Sequence, residues 1–292
     1  MASAGAGHAA AGNTEMDHFG NRLRVAMEAN GPLCVGIDPH PSLLASWGLD
    51  DSADAVRRFS LGVIEAVAGT AAILKPQVAL YERFGSAGFA ALEETLAAAR
   101  DAGVLTLADA KRGDIGSTMA AYANAWLADG SPLAADAVTL SPYLGYESLR
   151  PAIDLAGQTG RGVFVLGLTS NPEGQSVQHV GGAASVAKRI IDAVAQDNAH
   201  AADLGHVGLV IGATVGDAPQ RLGIDLSATK AALLTPGLGA QGATAGDLAN
   251  SFASSHRQVL ASSSRDILRA GPGVQALRDK ARMVRDELLA AG

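Results

Sequence analysis

The sequence predicts a single (β/α)8 barrel. Eight short apolar runs recur along the chain, segments with helical periodicity separate them, and polar or charged residues close most of the runs. Strand and helix alternating eight times is the pattern of such a barrel. The runs are residues 33–37, 71–74, 104–108, 137–140, 162–168, 207–211, 231–234 and 258–261.

The elements between the runs favour the barrel over an open doubly wound sheet. The first run is followed by Asp38-Pro39-His40-Pro41, where a doubly wound fold usually carries a glycine-rich turn. Helical spacing is clear in residues 87–102, where Phe89, Leu92 and Leu96 recur at three- and four-residue intervals. Residues 118–128 show similar spacing. We therefore expect each run to form a strand and each long interval to contain a helix.

Composition supports one domain and excludes several classes of partner. The chain has 292 residues, of which 48% are hydrophobic but only 4% aromatic, so small side chains dominate the predicted packing. A net charge of −7 argues against nucleic acid or an anionic membrane as a partner. No uninterrupted apolar run reaches the roughly 18 residues that a membrane span requires.

The start of the chain and its cysteine content bear on location. Residues 1–15 lack the basic start and apolar centre of a signal peptide, so we expect a disordered extension followed by a barrel domain over residues 16–292. Cys34 is the only cysteine and lies in an apolar run, which predicts a small core residue. Because no disulfide can form within the chain, the expected location is a reducing compartment, the cytoplasm.

The polar residues that follow the runs should meet at one end of the barrel. In (β/α)8 barrels the active site lies at the C-terminal ends of the strands. The set contains two lysines, three aspartates and an arginine, a combination that a structural role alone hardly explains. Its members are Asp38, Lys75, Asp109, Lys111, Asp114, Ser141, Thr169, Ser170, Asn171, Thr214 and Arg265.

The densest part of this set is the hexapeptide 109–114, which contains two carboxylates and an amine. Alternate residues of a strand share a face, so Asp109 and Lys111 should project together, with Asp114 just past a bend at Gly113. Such a cluster serves either as a buried ion pair or as an electrostatic device placed where charge develops during a reaction. The spacing alone does not decide between the two.

A second feature of the mouth is a glycine-rich segment, residues 235–242, after the seventh run. With Arg265 after the eighth run it occupies the position at which such barrels usually bind phosphate. A plain flexible loop is the alternative. If phosphate binds there, Asp38 and Lys75 could reach sugar hydroxyls, and Ser170 could bind a planar base edge. The predicted ligand is therefore a phosphorylated small molecule.

From about Met16 to its end, the chain resembles orotidine 5′-phosphate decarboxylases. Residues 109–115, Asp-Ala-Lys-Arg-Gly-Asp-Ile, are similar to the Asp-x-Lys-x-x-Asp motif of that family. Residues 35–39, 236–241 and 264–265 are also similar, and residues 74–77, 81–83 and 169–172 resemble its longer bacterial subgroup. The chain departs from many members at Ser262-Ser263-Ser264, where they have a glycine-containing approach to the phosphate arginine.

The resemblance implies cofactor-independent and metal-independent decarboxylation of orotidine 5′-phosphate, the last step of pyrimidine nucleotide biosynthesis. Lys111 would protonate C6 of the pyrimidine, with Asp109 and Asp114 forming the charged network around it. It also implies a homodimer in which residues of one subunit reach the partner's site. The substrate-binding residues that it implies are Asp38 and Lys75 for the ribose, Ser170 for the pyrimidine, Pro236, Gln241 and Arg265 for the phosphate, and Ile115 and Thr118 beside Asp114 at the shared site.

Two other functions fit the same barrel. A magnesium-dependent sugar-phosphate decarboxylase or lyase would need a further carboxylate near Asp109, but the second run ends in Lys75, a cation. A barrel that only binds a phosphorylated ligand would not need Lys111 or Asp114, yet both are present. We therefore expect the decarboxylase.

Overall fold

The structure is a computed structural model that describes residues 18–239 and 242–292. Over these residues eight parallel strands close into a barrel in chain order, with the last strand paired to the first. The predicted (β/α)8 barrel is therefore confirmed, whereas the predicted extension, residues 1–15, lies outside the described residues. The strands are β1 Leu33–Ile37, β2 Ile73–Pro76, β3 Leu105–Arg112, β4 Ala137–Leu140, β5 Gly162–Leu168, β6 Val207–Ile211, β7 Leu233–Pro236 and β8 Val259–Ser263.

Helices precede β1, fill the intervals between strands and follow β8. The α-helices are α1 Phe19–Asn30, α2 Pro41–Ser46, α3 Ala53–Val67, α4 Ala79–Glu82, α5 Gly85–Asp101, α6 Gly116–Leu127, α7 Arg150–Gln158, α8 Gln175–Gln178, α9 Val186–Asp197, α10 Ala218–Arg221, α11 Ala245–Ser251, α12 Arg265–Leu268 and α13 Val274–Ala291. Short 3₁₀ helices are Tyr146–Leu149, Pro172–Gly174, Gly182–Ala184, Ser227–Thr229 and Ala253–Gln258. Of the helices described, none combines the length and hydropathy needed to cross a membrane.

The strand bounds agree with the apolar runs in half of the cases. β1, β4, β5 and β6 have the predicted bounds. The other four strands continue past the apolar residues that predicted them, so Lys75, Asp109 and Lys111 lie inside strands rather than just after them. Their backbones remain part of the sheet while their side chains line the barrel mouth, and hydropathy alone does not register such polar positions.

Helix α1 closes the N-terminal end of the barrel. Phe19 and Leu23 are fully buried and belong to the same apolar cluster as the barrel interior, and the Phe19 ring meets Phe164 edge to face with 6.0 Å between centroids. A Cβ atom at Gly162 would lie 2.3 Å from the Phe19 ring, so only glycine permits this packing. Because this end is sealed, the open end of the barrel is the one at which the strands finish.

Cys34 lies in the same interior cluster, as predicted for a small core residue. Burial raises the pKa of its thiol to about 12. A thiol with so high a pKa carries almost no thiolate at neutral pH, so Cys34 is not a nucleophile.

Outside the strands, the longer helices bury one face each. In α9 the side chains of Ile190, Ile191 and Val194 are buried, and Ser185 caps the helix by accepting a hydrogen bond from the backbone amide of Lys188 at 3.3 Å. This second apolar layer, between strands and helices, holds the strand ends in fixed positions. The side chains at the mouth are therefore mounted on a rigid frame.

Candidate active site

The C-terminal ends of the strands surround a cavity of about 640 Å³. It contains residues from both predicted parts of the mouth, the charged cluster and the phosphate side. The predicted site residues that line it are Asp38, Lys75, Asp109, Lys111, Ser170, Pro236 and Arg265. Of the other polar residues predicted at the mouth, Thr169 and Asn171 also line the cavity, whereas Ser141 and Thr214 do not.

Strand β3 is irregular where it carries the charged pair. Its pairing with β4 is regular up to Ala108 and resumes at Arg112, so residues 109–111 face a single residue of β4, Thr139. Lys111 has a φ angle of 48°, in the left-handed region. Asp109 and Lys111 both face the cavity, as predicted. The prediction assumed regular strand alternation, whereas the structure has a bulge at these residues.

Gly113 does not provide the bend that the sequence predicted at that position. Positive φ angles occur at Lys111 and Gly116 instead. A Cβ atom at Gly113 would lie 2.4 Å from the backbone oxygen of Ser141, so this glycine is required for close approach between the two chain segments. The loop leading to Asp114 is thereby packed against the end of β4.

The carboxylate of Asp109 accepts hydrogen bonds from four donors. Lys75 Nζ and Gln77 Nε2 donate to Oδ2 at 2.8 and 3.0 Å. Lys111 Nζ and Thr139 Oγ1 donate to Oδ1 at 2.6 and 3.0 Å. A carboxylate offers about four lone-pair sites, so Asp109 has no acceptor position left for a ligand. Its role is to hold the groups around it.

The charged groups of this cluster stabilise one another in their ionised forms. Burial raises the pKa of Asp109, but the charges of Lys75 and Lys111 outweigh burial and bring that pKa below its usual range. Burial lowers the pKa of Lys75, and the charges of Asp109 and Asp38 more than reverse that effect. The side chains of Lys75 and Asp109 are 7% and 8% exposed, whereas that of Lys111 is 47% exposed. Lys111 is thus the member of the cluster that is most accessible from the cavity.

Beside this cluster, the described part of the cavity has buried polar atoms with no hydrogen-bond partner. Within the described part of the chain, the buried side-chain atoms that lack a hydrogen bond are Asp38 Oδ1, Ser263 Oγ and Ser264 Oγ, at the ends of β1 and β8. Asp38 and Ser264 line the cavity, and a Cβ at Gly36 would lie within 3.2 Å of both side chains. Buried polar atoms are nearly always satisfied, so Asp38 Oδ1 and Ser264 Oγ are available to a group that enters the cavity.

Arg265 and Pro236 line the same side of the cavity. Arg265 is exposed and begins α12, and Pro236 ends β7. Gln241, predicted to bind phosphate from the loop that follows β7, lies outside the described residues. The part of the predicted phosphate site that is described therefore faces the same cavity as Lys111.

The loop after β5 carries Ser170 and is held to the strand end by Gln178. The backbone amide of Thr169 donates to Gln178 Oε1 at 2.9 Å, and Gln178 Nε2 donates to Thr169 Oγ1 at 2.7 Å. Ser170 is exposed and faces the cavity. These bonds fix Thr169, the residue directly before the predicted base-binding residue.

Three residues around the charged cluster were not identified from the sequence. Gln77 and Thr139 bind Asp109, and Gln178 binds Thr169. A usable signal existed only for Thr139, because it is a polar residue within the apolar run of β4. Gln77 belongs to residues 74–77, which resemble the longer bacterial subgroup, but no role was predicted for it, and Gln178 lies in a segment that has no distinctive pattern.

Asp114, Ile115 and Thr118 are not part of the cavity of their own chain. The Oδ1 atom of Asp114 accepts a hydrogen bond from the backbone amide of Ile115 at 2.8 Å. Ile115 is 61% exposed, and Thr118 is also exposed. A single chain therefore brings Asp109 and Lys111 together without Asp114.

Comparison with known proteins identifies the family. The model of the orotidine 5′-phosphate decarboxylase / HUMPS family matches residues 31–279. The chain belongs to this family. Two family members named orotidine 5′-phosphate decarboxylase cover most of it: the protein from Salinispora arenicola is 54% identical over 278 residues, 94% of this chain and 99% of its own length. The protein from Streptomyces coelicolor is 55% identical over 269 residues, 91% and 95% of the two chains.

A solved structure of a family relative shares the whole architecture. This relative comes from Streptomyces avermitilis, and its crystal structure bears the name orotidine 5′-phosphate decarboxylase. It is 53% identical in sequence, and the two structures superpose with a TM-score of 0.90 over 94% of this chain and 95% of that one. Family membership agrees with the resemblance of residues 109–115 to the family's motif.

Proposed function

We propose that the protein decarboxylates orotidine 5′-phosphate to uridine 5′-phosphate, the last step of pyrimidine nucleotide synthesis. The proposal depends mainly on the charged cluster of Lys75, Asp109 and Lys111. In this cluster the ammonium group of Lys111 is accessible from the cavity. The relatives that share half or more of the sequence bear the name of this enzyme. It is a carboxy-lyase, and we place it in the cytoplasm.

Lys111 supplies the proton in the proposed reaction. The bond between C6 and the carboxylate carbon breaks, carbon dioxide leaves, and the electron pair stays on C6. The Lys111 ammonium then donates a proton to C6 and becomes an amine. A positive group already fixed beside the developing carbanion stabilises it without reorganisation during the step. Asp109 holds this group in place through the 2.6 Å hydrogen bond to Lys111 Nζ.

The remaining predicted residues bind the other parts of the substrate. Asp38 and Lys75 bind the ribose, and the unpartnered Oδ1 of Asp38 supports this assignment. Ser170 binds the pyrimidine edge. Arg265, with the loop from Pro236 to Gln241, binds the phosphate, since a guanidinium matches a dianion with two parallel donors.

The saturated carboxylate of Asp109 favours this reaction over a magnesium-dependent one. A divalent ion needs oxygen atoms with free lone pairs, and four protein donors already use those of Asp109. Across the described residues no group of three metal-ligating side chains occurs. A barrel that only binds its ligand would have no use for a reachable ammonium held at this point. We therefore propose a reaction without metal or cofactor.

The test is the fall in near-ultraviolet absorbance of orotidine 5′-phosphate on addition of the purified protein. We expect turnover with and without excess chelator, because lysines supply the positive charge. Lys111→Ala should reduce kcat by at least about 1,000-fold, since both proton delivery and charge stabilisation are lost. The control Lys188→Ala removes a surface lysine of α9 and should leave the rate unchanged. A rate lost with chelator and restored by magnesium would contradict the proposal.

We also propose a homodimer in which Asp114, Ile115 and Thr118 reach the partner's cavity. None of the three lines the cavity of its own chain. Large apolar side chains are exposed in the two loops that meet at Gly113 and Ser141, because Ile115, Tyr143 and Leu144 are 61%, 81% and 55% exposed. In this arrangement Asp114 is the second carboxylate beside Lys111, supplied by the other subunit.

A further inference from the structure

Thr139 binds both parts of the bulge that carries the charged pair. Its side chain is buried, and three residues of β3, 109–111, lie opposite it. Its hydroxyl accepts a hydrogen bond from the backbone amide of Lys111 at 2.9 Å and donates one to Asp109 Oδ1 at 3.0 Å. One hydroxyl group therefore joins the backbone of Lys111 to the carboxylate that holds its amine.

The backbone of Lys111 needs such a partner. Its φ angle of 48° is unfavourable for a residue with a Cβ atom, and the bulge removes its amide from the ladder between β3 and β4. Without the Thr139 hydroxyl this amide would lose its partner inside the structure, which destabilises the conformation that the bulge requires. After the bulge, the backbone amide of Ser141 donates to the oxygen of Arg112 at 2.8 Å and restores the pairing.

We propose that Thr139 is a positioning residue for Lys111. Its hydroxyl stabilises the left-handed conformation at Lys111 and fixes the Asp109 oxygen that binds the Lys111 amine, so the amine points to one place in the cavity. The inference rests on the proposed function, because the atom to be positioned is the proton donor of that reaction. Asp38 follows β1 and Arg265 begins α12, so substrate binding through these two residues does not depend on the bulge.

Two variants of Thr139 separate the hydroxyl from the shape of the side chain. Thr139→Val keeps the shape and should lower kcat by about 100-fold, the cost of a displacement of about 1 Å at a reacting group, while KM stays within about threefold. Thr139→Ser keeps the hydroxyl and should retain most of the wild-type kcat. If the valine variant does not fold, Thr139→Ala also lacks the hydroxyl and takes its place.

Thr106→Val is the matched control, since Thr106 is a buried threonine of β3 whose hydroxyl binds Asp136 rather than the charged pair. It should leave kcat close to the wild-type value even if the melting temperature falls. Equal kcat values for Thr139→Val and Thr106→Val would overturn the inference. Equal losses in the serine and valine variants would also overturn it, because the methyl group would then be responsible.

A measurement that needs no turnover separates this inference from the proposed function. The chain has five lysines, Lys75, Lys111, Lys188, Lys230 and Lys280, so labelling with [¹⁵N]lysine gives five backbone amide signals. The Lys111 amide should exchange with solvent about fivefold faster in Thr139→Val than in the wild type and Thr139→Ser, since a hydrogen bond contributes about 1 kcal/mol. Unchanged exchange would overturn the inference, whereas a wild type without decarboxylase activity would overturn only the proposed function.

Discussion

Lys75 and Asp109 form a buried ion pair in which each charge depends on the other. Lys75 Nζ lies 2.8 Å from Asp109 Oδ2, and both side chains are less than one tenth exposed. Removing one member of such a pair leaves the other charge buried with fewer partners, at a cost of about 3–5 kcal/mol. Asp109 would still have Lys111, Gln77 and Thr139 as donors, so the loss for a change at Lys75 belongs at the lower end.

We expect Lys75→Met to lower the free energy of unfolding by about 3 kcal/mol at pH 7, because methionine fills the space but leaves Asp109 with one cation. Urea unfolding followed by circular dichroism measures this. In the control Lys188→Met, the pair with Asp192 is on the surface, and the change should be within about 0.5 kcal/mol. Equal losses in the two variants would show that the buried pair contributes nothing.

The difference in unfolding free energy between the wild type and Lys75→Met should change with pH in a direction that follows from the pKa of Lys75. The folded-state pKa of Lys75 is raised, so its stabilisation is complete below the ordinary lysine pKa of about 10.4 and is lost as pH rises above it. The difference between wild type and Lys75→Met should therefore narrow by about 1 kcal/mol at pH 11. The pKa of Asp109 is lowered, so its contribution is lost instead as pH falls below about 4.

At the scale of elements, the sequence predicts what the hydrophobic effect determines. The runs that became β1, β4, β5 and β6 are apolar except for Thr139, and their bounds agree with the prediction. β2, β3, β7 and β8 extend further because polar residues at the mouth pair through the backbone like any others. Hydropathy marks where a side chain is buried in an apolar layer, and these side chains face a cavity.

The bulge in β3 could not be predicted from the sequence. It depends on the register between β3 and β4 and on one hydroxyl, that of Thr139, at the position where the register shifts. Neither the register nor this hydroxyl can be read from the spacing of residues 109–114. The sequence therefore predicted correctly that Asp109 and Lys111 face the cavity, but it did so from regular strand alternation and without the bulge. Gln77 and Gln178 were missed on similar grounds, because only the folded chain brings them to Asp109 and Thr169.

The loop after β5 offers a prediction at this scale. Gln178→Leu removes both hydrogen bonds to Thr169. Two bonds of about 1 kcal/mol each correspond to roughly a 30-fold loss in kcat/KM, because Ser170 must then be ordered when the substrate binds. The melting temperature should hardly change, since the loop is exposed. Gln175→Leu, on the same short helix, is the control, and an unchanged kcat/KM for Gln178→Leu would show that Ser170 is positioned otherwise.

At the scale of the whole molecule, one chain provides most of the proposed site. The cavity contains Lys111 and the residues that hold it, but Asp114 lies outside although it is only three positions further along the chain. The loop that separates them is packed against Ser141. If the proposed reaction uses Asp114, a second subunit must supply it, and the functional unit is then a dimer.

Mixed dimers test this arrangement. Lys111→Ala and Asp114→Ala homodimers should each be nearly inactive, because every site lacks one residue. A mixed dimer would have one site with both residues intact and one with neither. If equal amounts re-pair at random, about half of the dimers are mixed, so about a quarter of all sites should regain wild-type composition. Mixed dimers purified through two different tags should have about half of the wild-type activity.

The matched control pairs Lys111→Ala with Asp109→Asn. These two residues belong to the same site of one chain, where Lys111 Nζ lies 2.6 Å from Asp109 Oδ1, so each site of the mixed dimer keeps one defect and activity should not return. If activity returns when Lys111→Ala is mixed with Asp114→Ala but not when it is mixed with Asp109→Asn, Asp114 must act across the interface. If neither pair recovers activity although tagged mixed dimers have been isolated, Asp114 serves the site of its own chain, and the loop after β3 must then move toward the cavity when the substrate binds.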